Sequence, residues 1–335
     1  MMLTTNIGSL ETSRIALGAW AIGGGTWWGD NDDSESIDTI RAAIDGGINY
    51  IDTAPAYGYG HSEMIVGKAV KGIREKVKIS TKGGLIWDTD EGAYFFEKDG
   101  KTVLRNLSKQ SLKKQVEDSL RRLDTDYIDI YFTHWQSLPE FPITVEETMG
   151  ALLELKQEGK ILSIGISNTN PDNLTEYLRY GKVDIIQEKF SILTRMNKEI
   201  LGGIAEANDV VFQPYQPLES GLLTGKLGPD YEPPPGSSRS GGLWFEKSRF
   251  LAALEMIASW APLCEKYGAT PGQLAIAWTV ALGDGVSVLV GARTVEQVTS
   301  NIKGGEITLA AEDISFMTKS ADDVIKLFPQ PDTRV

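Results

Sequence analysis

One cysteine, Cys264, and two histidines, His61 and His134, are all that 335 residues offer of the soft metal ligands. A lone cysteine closes no internal disulfide, and two separated histidines have no metal-ligand spacing, so neither a disulfide framework nor a metal centre is expected. Cys264 lies in Trp260-Ala261-Pro262-Leu263-Cys264 and reads as a helix-packing thiol, the usual place of free cysteine. No apolar run approaches the ~20 residues of a membrane helix. The start, Met1-Met2-Leu3-Thr4-Thr5, lacks the basic segment and apolar core of a secretory signal. The expectation is a cytoplasmic protein with no membrane partner. Positive charge is also short: Lys and Arg number 33 against 46 Asp and Glu, a net charge of -13. Such a surface, without a Lys/Arg cluster, repels nucleic-acid backbones and anionic lipid, so the expected partner is a small molecule. A basic pocket for one small anion stays compatible with this. A Rossmann fingerprint is missing too. Gly23-Gly24-Gly25 and Gly58-Tyr59-Gly60 do not fit Gly-x-Gly-x-x-Gly between a strand and a helix.

What is present is alternation. Short apolar runs, Ile15 to Trp20, Ile48 to Asp52, Val77 to Thr81, Tyr127 to Thr133, Ile161 to Ile166, Val183 to Gln187, Val210 to Pro214 and Val286 to Val290, read as strands. Helical patterns lie between them. Ser34 to Asp45 opens on an N-cap serine and repeats Ile37, Ile40, Ala43 and Ile44 at helical spacing. Ser108 to Leu123 places Leu112, Val116, Leu120 and Leu123 on one face. Thr144 to Gln157 opens on a word like a capping box and stops at Gly159. Strict βα order implies a parallel sheet under helices, and eight repeats favour closure into a (β/α)8 TIM barrel. Length alone suggests about two domains, but single barrels run this long. With no linker and no repeat beyond the βα unit, residues 1–335 read as a single domain, its oligomeric state left open. Met2 to Thr12, with Gly8-Ser9 at its middle, reads as a β-hairpin. Three stretches exceed ordinary loops: Gly83 to Leu107, Glu219 to Lys247 and the tail Glu312 to Val335. The first two follow the third and seventh strands, so they are expected over the barrel's C-terminal face. There their aromatics either line a pocket or seal the loops themselves.

Four polar residues stand at or just past strand ends: Asp52, Tyr57, Lys82 and His134. Taken singly, Asp52 and Lys82 read as a structural ion pair, Tyr57 as loop packing and His134 as a rim histidine. Together they can make a proton-donating site for a carbonyl. The word Asp52-Thr53-Ala54-x-x-Tyr57-Gly58-x-Gly60-x-Ser62-Glu63-x-x-x-Gly67 closely resembles the first signature of the aldo-keto reductase family, and the resemblance extends over nearly the whole chain. It implies a (β/α)8 barrel with a hairpin plugging its bottom. It implies reduction of an aldehyde or ketone to the alcohol by hydride transfer, with Tyr57 as general acid. Lys82 would lower the tyrosine pKa, Asp52 would keep Lys82 charged, and His134 would orient the carbonyl oxygen. Trp20 and Trp135 would flank the substrate with Tyr57 and His134, and His61 is read as a local contact.

By the same resemblance a nicotinamide dinucleotide lies across the barrel mouth. Ser167, Asn168 and Gln187 would hold its carboxamide, with Asp52 and Trp20 beside the ring, and Tyr215 would stack on it. That tyrosine stands in Pro214-Tyr215-Gln216-Pro217-Leu218, whose Gln216, Pro217 and Leu218 would also touch the cofactor. The following Glu219-Ser220-Gly221-Leu222-Leu223-Thr224-Gly225-Lys226 resembles the pyrophosphate loop, with Lys226 as its cation and Ser220 as a contact. After the eighth strand, Gly291-Ala292-Arg293 opens a helix whose amides suit a phosphate. Arg293 would fork a ribose 2′-phosphate, with Arg239 as a second candidate, and Gln297 and Asn301 on one helix face would meet the adenine. NADPH is therefore the expected cofactor, with NADH the alternative. These details resemble the bacterial sugar- and inositol-linked branch or the potassium-channel β-subunit branch, so a sugar or polyol substrate is compatible. Two rivals stay open: a cofactor-sensing binding protein with slow turnover, and a Schiff-base aldolase using Lys82.

Overall fold

The computed structural model describes residues 2–329. Its strands are β1 Thr4–Ile7, β2 Leu10–Ser13, β3 Ile15–Gly18, β4 Tyr50–Asp52, β5 Lys78–Gly83, β6 Leu85–Ile86 and β7 Ala93–Lys98. Then come β8 Lys101–Arg105, β9 Ile128–Thr133, β10 Ile161–Ser167, β11 Ile185–Lys189, β12 Val211–Tyr215 and β13 Val288–Gly291. Eight of them close into a barrel in the order β3-β4-β5-β9-β10-β11-β12-β13, each pair parallel. The helices are α1 Gly25–Trp28, α2 Asp33–Asp45, α3 His61–Val70, α4 Lys109–Leu123, α5 Val145–Gln157 and α6 Pro171–Tyr180. They continue with α7 Met196–Ala207, α8 Lys247–Ser259, α9 Ala261–Tyr267, α10 Pro271–Val280, α11 Val295–Glu306 and α12 Ala311–Leu327. Among the described residues no helix is long and apolar enough to cross a membrane.

Period-two alternation builds two cores from the same strands. Ala16, Tyr50, Ile130, Phe132, Ile185, Val211 and Leu289 point into the barrel, where Ile7 and Leu10 of the β1–β2 hairpin join them. Their neighbours Leu17, Ile51, Ile79, Ile186, Phe212 and Val288 point outward under the helices. Side chains of this kind stabilise by roughly 1.5–3 kcal/mol each when fully buried. Extending the inner rows towards the C-terminal ends reaches Asp52, Lys82, His134, Gln187 and Gln213. The barrel is therefore apolar below and polar at its mouth, and the strand period alone decides which residues meet there.

Several local expectations are corrected. Helix α2 is capped by Asp32, whose carboxylate accepts from the Glu35 N–H, two residues earlier than Ser34. Thr144 does cap α5, but the Glu147 carboxylate accepts from the Lys109 N–H instead of closing a capping box. The stretch Gly83 to Leu107 is mostly not loop: β6, β8 and β7 form a small antiparallel sheet over the barrel. Asp99-Gly100 makes its tight turn with φ of 50° and 71°, the left-handed pair that such hairpins favour. The tail is helical over Ala311–Leu327, because Met317, Ala321 and Val324 bury one face. Residues 330–335, with Gln330 and Pro331, lie outside the described residues.

Candidate active site

Asp52 ends β4 and Lys82 lies near the end of β5, and both point into the barrel mouth. The Lys82 ammonium donates to Asp52 Oδ1 at 2.5 Å, to the Thr53 carbonyl at 2.9 Å and to Tyr57 Oη at 3.1 Å. An ammonium has three N–H donors, so all are used and its direction is fixed. Asp52 is held from its other oxygen by Ser80 Oγ at 2.6 Å and Gln187 Nε2 at 3.0 Å. Lys82 and Asp52 are both buried. An amine so committed is a poor nucleophile, which weighs against a Schiff-base mechanism. The ring of His134 meets that of Tyr57 edge-on, centroids 5.8 Å apart. Among the described residues no protein group hydrogen-bonds a ring nitrogen of His134 or accepts the Tyr57 hydroxyl proton. The Tyr57 O–H and both His134 ring nitrogens are thus left without a protein partner, while Tyr57 Oη accepts from Lys82.

The electrostatics differ from one expectation. Lys82 does not leave Tyr57 with a depressed pKa. Burial, and after it the Asp52 charge, hold the phenol well above its ordinary value. Burial likewise pulls the Lys82 ammonium below its ordinary value, with Asp52 opposing. Burial, then the Lys82 and Arg105 charges, push His134 well below the usual histidine value, so its ring is neutral near pH 7. The arrangement can therefore offer a carbonyl oxygen two neutral donors, backed by a buried cation.

Aromatic walls surround this opening. Trp20 lies 6.2 Å from Tyr57 and 5.1 Å from Trp28, and Trp27 meets Phe96 at 6.2 Å. Trp135 packs on Phe95 at 5.1 Å. Phe95 and Phe96 of the β6–β8 sheet thus pack on the tryptophans beside the site, while Tyr94 is exposed. Those of the seventh loop do not: Trp244 is buried in the core and bonds Thr194. His61 is a local contact, 2.9 Å from Asp33, and Cys264 is partly buried against the outer core.

The proposed cofactor residues cluster along the same rim. Asn168, with φ of 53°, donates to the His134 carbonyl and accepts from Tyr215 Oη, both at 2.8 Å. Ser167 Oγ donates to the Gln187 carbonyl at 2.8 Å, and Gln187 Nε2 also reaches Gln213 Oε1 at 2.7 Å. After β12, Gln216 and Ser220 have positive φ on either side of Pro217 and Leu218. Non-glycine residues held in this region cluster at functional sites. Lys226 is exposed, 3.7 Å from Glu296. Asn301 is buried and donates to the Gly291 carbonyl at 3.2 Å. Gln297 Oε1 accepts from the Arg293 N–H at 2.9 Å, closing its own turn.

The two arginines proposed for a 2′-phosphate are already engaged. Arg293 donates to Asn31 Oδ1 at 2.7 and 3.0 Å, to the Trp28 carbonyl at 2.9 Å and to the Asp30 carbonyl at 2.7 Å. It clasps the segment after α1 across the mouth. Arg239 donates to the Ser220 carbonyl at 2.8 Å and to Tyr231 Oη at 2.7 Å. Two buried polar atoms nearby, Trp28 Nε1 and Ser237 Oγ, have no protein partner. They lie on loops joined by the Ser238 N–H to the Trp27 carbonyl at 3.0 Å. Unsatisfied groups at this rim fit a polar ligand laid across it.

The sequence reading missed Ser80, Gln213, Asn31 and Arg105. Ser80 and Gln213 carried a signal, since they share the inward row of their strands. Asn31 carried none, because its partner is 262 residues away. Gly58 also matters: with φ of 64°, a Cβ there would lie 2.2 Å from the Gly23 carbonyl oxygen. Gly58→Ala is expected to displace Tyr57, lowering kcat by about tenfold or more and stability by roughly 1–3 kcal/mol. Unchanged kcat and an unchanged denaturation midpoint would show that the contact yields freely.

Comparison with known proteins fits this geometry. The Aldo/keto reductase family profile matches residues 14–322. The chain is 45% identical over 315 residues to the NADH-specific methylglyoxal reductase of Escherichia coli K12, covering 93% of this chain and 96% of that protein. It is 37% identical to the aldo-keto reductase YhdN of Bacillus subtilis, covering 91% and 88% of the two chains. Among solved structures, the glycerol dehydrogenase of Gluconobacter oxydans superposes with a TM-score of 0.85 at 35% identity, covering 98% of this chain and 97% of that one. With the closed barrel, the strand-end cluster and these relatives in agreement, the chain belongs to the aldo/keto reductase family.

Proposed function

We propose that this single barrel reduces a small aldehyde or ketone to the alcohol with a nicotinamide dinucleotide, and that Tyr57 delivers the proton. One observation carries the reading: Tyr57 Oη accepts from the Lys82 ammonium at 3.1 Å, while no described protein group accepts its proton. The O–H is left to point into the mouth. When bound, the dinucleotide supplies the hydride. Tyr57 moves its proton to the carbonyl oxygen, and the phenolate left behind gains the full attraction of Lys82. That gain exists only as charge develops, so it lowers the barrier without tightening the ground state. Asp52 holds Lys82 in place and opposes the loss of its charge. Neutral His134 turns one N–H to the carbonyl oxygen. Ser167, Asn168, Gln187 and Tyr215 would hold the nicotinamide end, Ser220 and Lys226 the pyrophosphate, and Gln297 and Asn301 the adenine. Trp20 and Trp135 would flank the substrate.

NADH is the donor we assign. The Arg293 fork is filled by Asn31 Oδ1 and the Trp28 and Asp30 carbonyls, which leaves it no free edge for a 2′-phosphate. The NADH-specific Escherichia coli relative supports the same choice. Short 2-oxoaldehydes head the substrate candidates, with sugar aldehydes and polyols run in reverse behind them. The test is NADH consumption across a panel of 2-oxoaldehydes, sugars, inositols and aromatic aldehydes. Turnover with none of them, beside a single slow oxidation of bound NADH, would favour a cofactor-sensing role. Arg293→Ala separates the two cofactor readings. As a loop clasp, its loss should weaken NADH and NADPH together, by about tenfold for one charge-assisted bond. Selective loss of NADPH affinity would return Arg293 to the phosphate.

A further inference from the structure

Three cations are buried among the described residues: Arg14, Lys82 and Arg105. Arg14 has Asp284 at 3.3 Å and Lys82 has Asp52 at 2.5 Å. Arg105 has no carboxylate within salt-bridge reach among the described residues; Glu140 acts on it only from beyond that distance. Among the described residues its guanidinium makes one hydrogen bond, from Nη1 to the Gln136 carbonyl at 3.2 Å. Its Nε is buried without an acceptor, and Nη2 has none either. In a chain with 46 acidic residues this vacancy is not a shortage of partners. An unpaired buried charge is unfavourable unless something else meets it.

Arg105 ends β8 and lies against a pair of rings that pack on each other, Phe95 and Trp135, centroids 5.1 Å apart. Its guanidinium carbon lies 4.0 Å from the Phe95 centroid and 4.9 Å from that of Trp135, the residue after His134. Both rings belong to the aromatic surround described above, and the Arg105 charge adds, after burial and Lys82, to the lowering of the His134 pKa. A neutral side chain could pack on the same two rings without burying a charge. A guanidinium held against these rings, with Nε and Nη2 free of protein acceptors, matches a planar carboxylate.

Resting on the reductase reading above, we infer that Arg105 recognises a carboxylate on the substrate, so that the preferred carbonyl compounds are short oxo-acids or acid-bearing aldehydes. The test compares succinic semialdehyde, which has a terminal carboxylate, with the neutral butanal of equal chain length, in wild type, Arg105→Met and Arg105→Lys with NADH. Wild type should favour the acid. The ratio of kcat/KM for acid over neutral aldehyde should fall by about tenfold or more in Arg105→Met, mainly through KM. Arg105→Lys, which keeps the charge without the fork, should recover part of it. Butanoate, which cannot be reduced, should quench tryptophan fluorescence in the wild type and bind about tenfold more weakly to Arg105→Met. A wild type without preference for the acid, a ratio unmoved by the substitution, or butanoate binding that ignores it would overturn the inference. If neither aldehyde is reduced, the reductase reading fails on its own, and the butanoate titration still decides whether Arg105 binds a carboxylate.

Discussion

Tyr57→Phe is expected to lower kcat for carbonyl reduction by at least ~10²-fold while leaving NADH affinity nearly unchanged. The substitution removes one oxygen. The ring remains to pack 6.2 Å from Trp20 and 5.8 Å from His134. What is lost is the proton and the acceptor for the third Lys82 N–H. A fluorescence titration with NADH, beside steady-state rates, separates binding from chemistry. The pH profile gives a second readout. His134 lies well below its ordinary 6.5 and Tyr57 well above its ordinary 10.0, so neither changes charge between those values. Below its raised pKa the phenol keeps its proton, and above its lowered pKa the imidazole stays neutral. The wild type should therefore show no acidic limb near pH 6.5. A fall on the alkaline side would belong first to Lys82, whose ammonium burial pulls below its ordinary 10.5. Near-normal turnover by the variant would remove Tyr57 from the mechanism.

The barrel was legible because its signal is repetitive. Eight apolar runs separated by helical patterns leave few alternatives, and each run corresponds to a barrel strand. Asp52, Lys82 and His134 were legible for the same reason: strand parity sends them inward, and the signature word ties Tyr57 to them. What escaped the sequence is of two kinds. The β6–β8 sheet was readable in principle, since Asp99-Gly100 lies between two strand-like runs, but the aromatic cluster drew the reading towards a loop. The Arg293 clasp was not readable. A guanidinium accepted by backbone carbonyls leaves no complementary residue type to find, and Asn31 is one asparagine among several. The cofactor expectation rested on Arg293 being free, which is a property of the folded mouth and not of the residue. Arg105 is the converse: among the described residues no carboxylate lies within salt-bridge reach of it, and such a gap is invisible until the chain is folded.

Lys82→Met should affect both activity and stability, and a compensating change should separate them. Lys82 is the one group bonded to both Asp52 and Tyr57. Without it the phenolate formed by proton transfer has no cation, so kcat is expected to fall at least as far as in Tyr57→Phe. Stability should fall as well, because Asp52 is left buried. Breaking a buried pair by removing one partner costs about 3–5 kcal/mol. The lower end applies here, since Ser80 and Gln187 still donate to the other Asp52 oxygen at 2.6 and 3.0 Å. Methionine fills much of the lysine volume, so the deficit is chiefly electrostatic. Adding Asp52→Asn removes the orphaned charge while keeping the side-chain shape. The double variant should regain most of the lost denaturation midpoint, but none of the lost kcat. The two single effects lie on directly bonded residues and should be strongly non-additive in stability. Recovery of activity with stability would mean that Lys82 serves only to neutralise Asp52. Recovery of stability alone leaves the ammonium with a task that no repacking replaces, namely holding the charge that Tyr57 acquires when it gives up its proton.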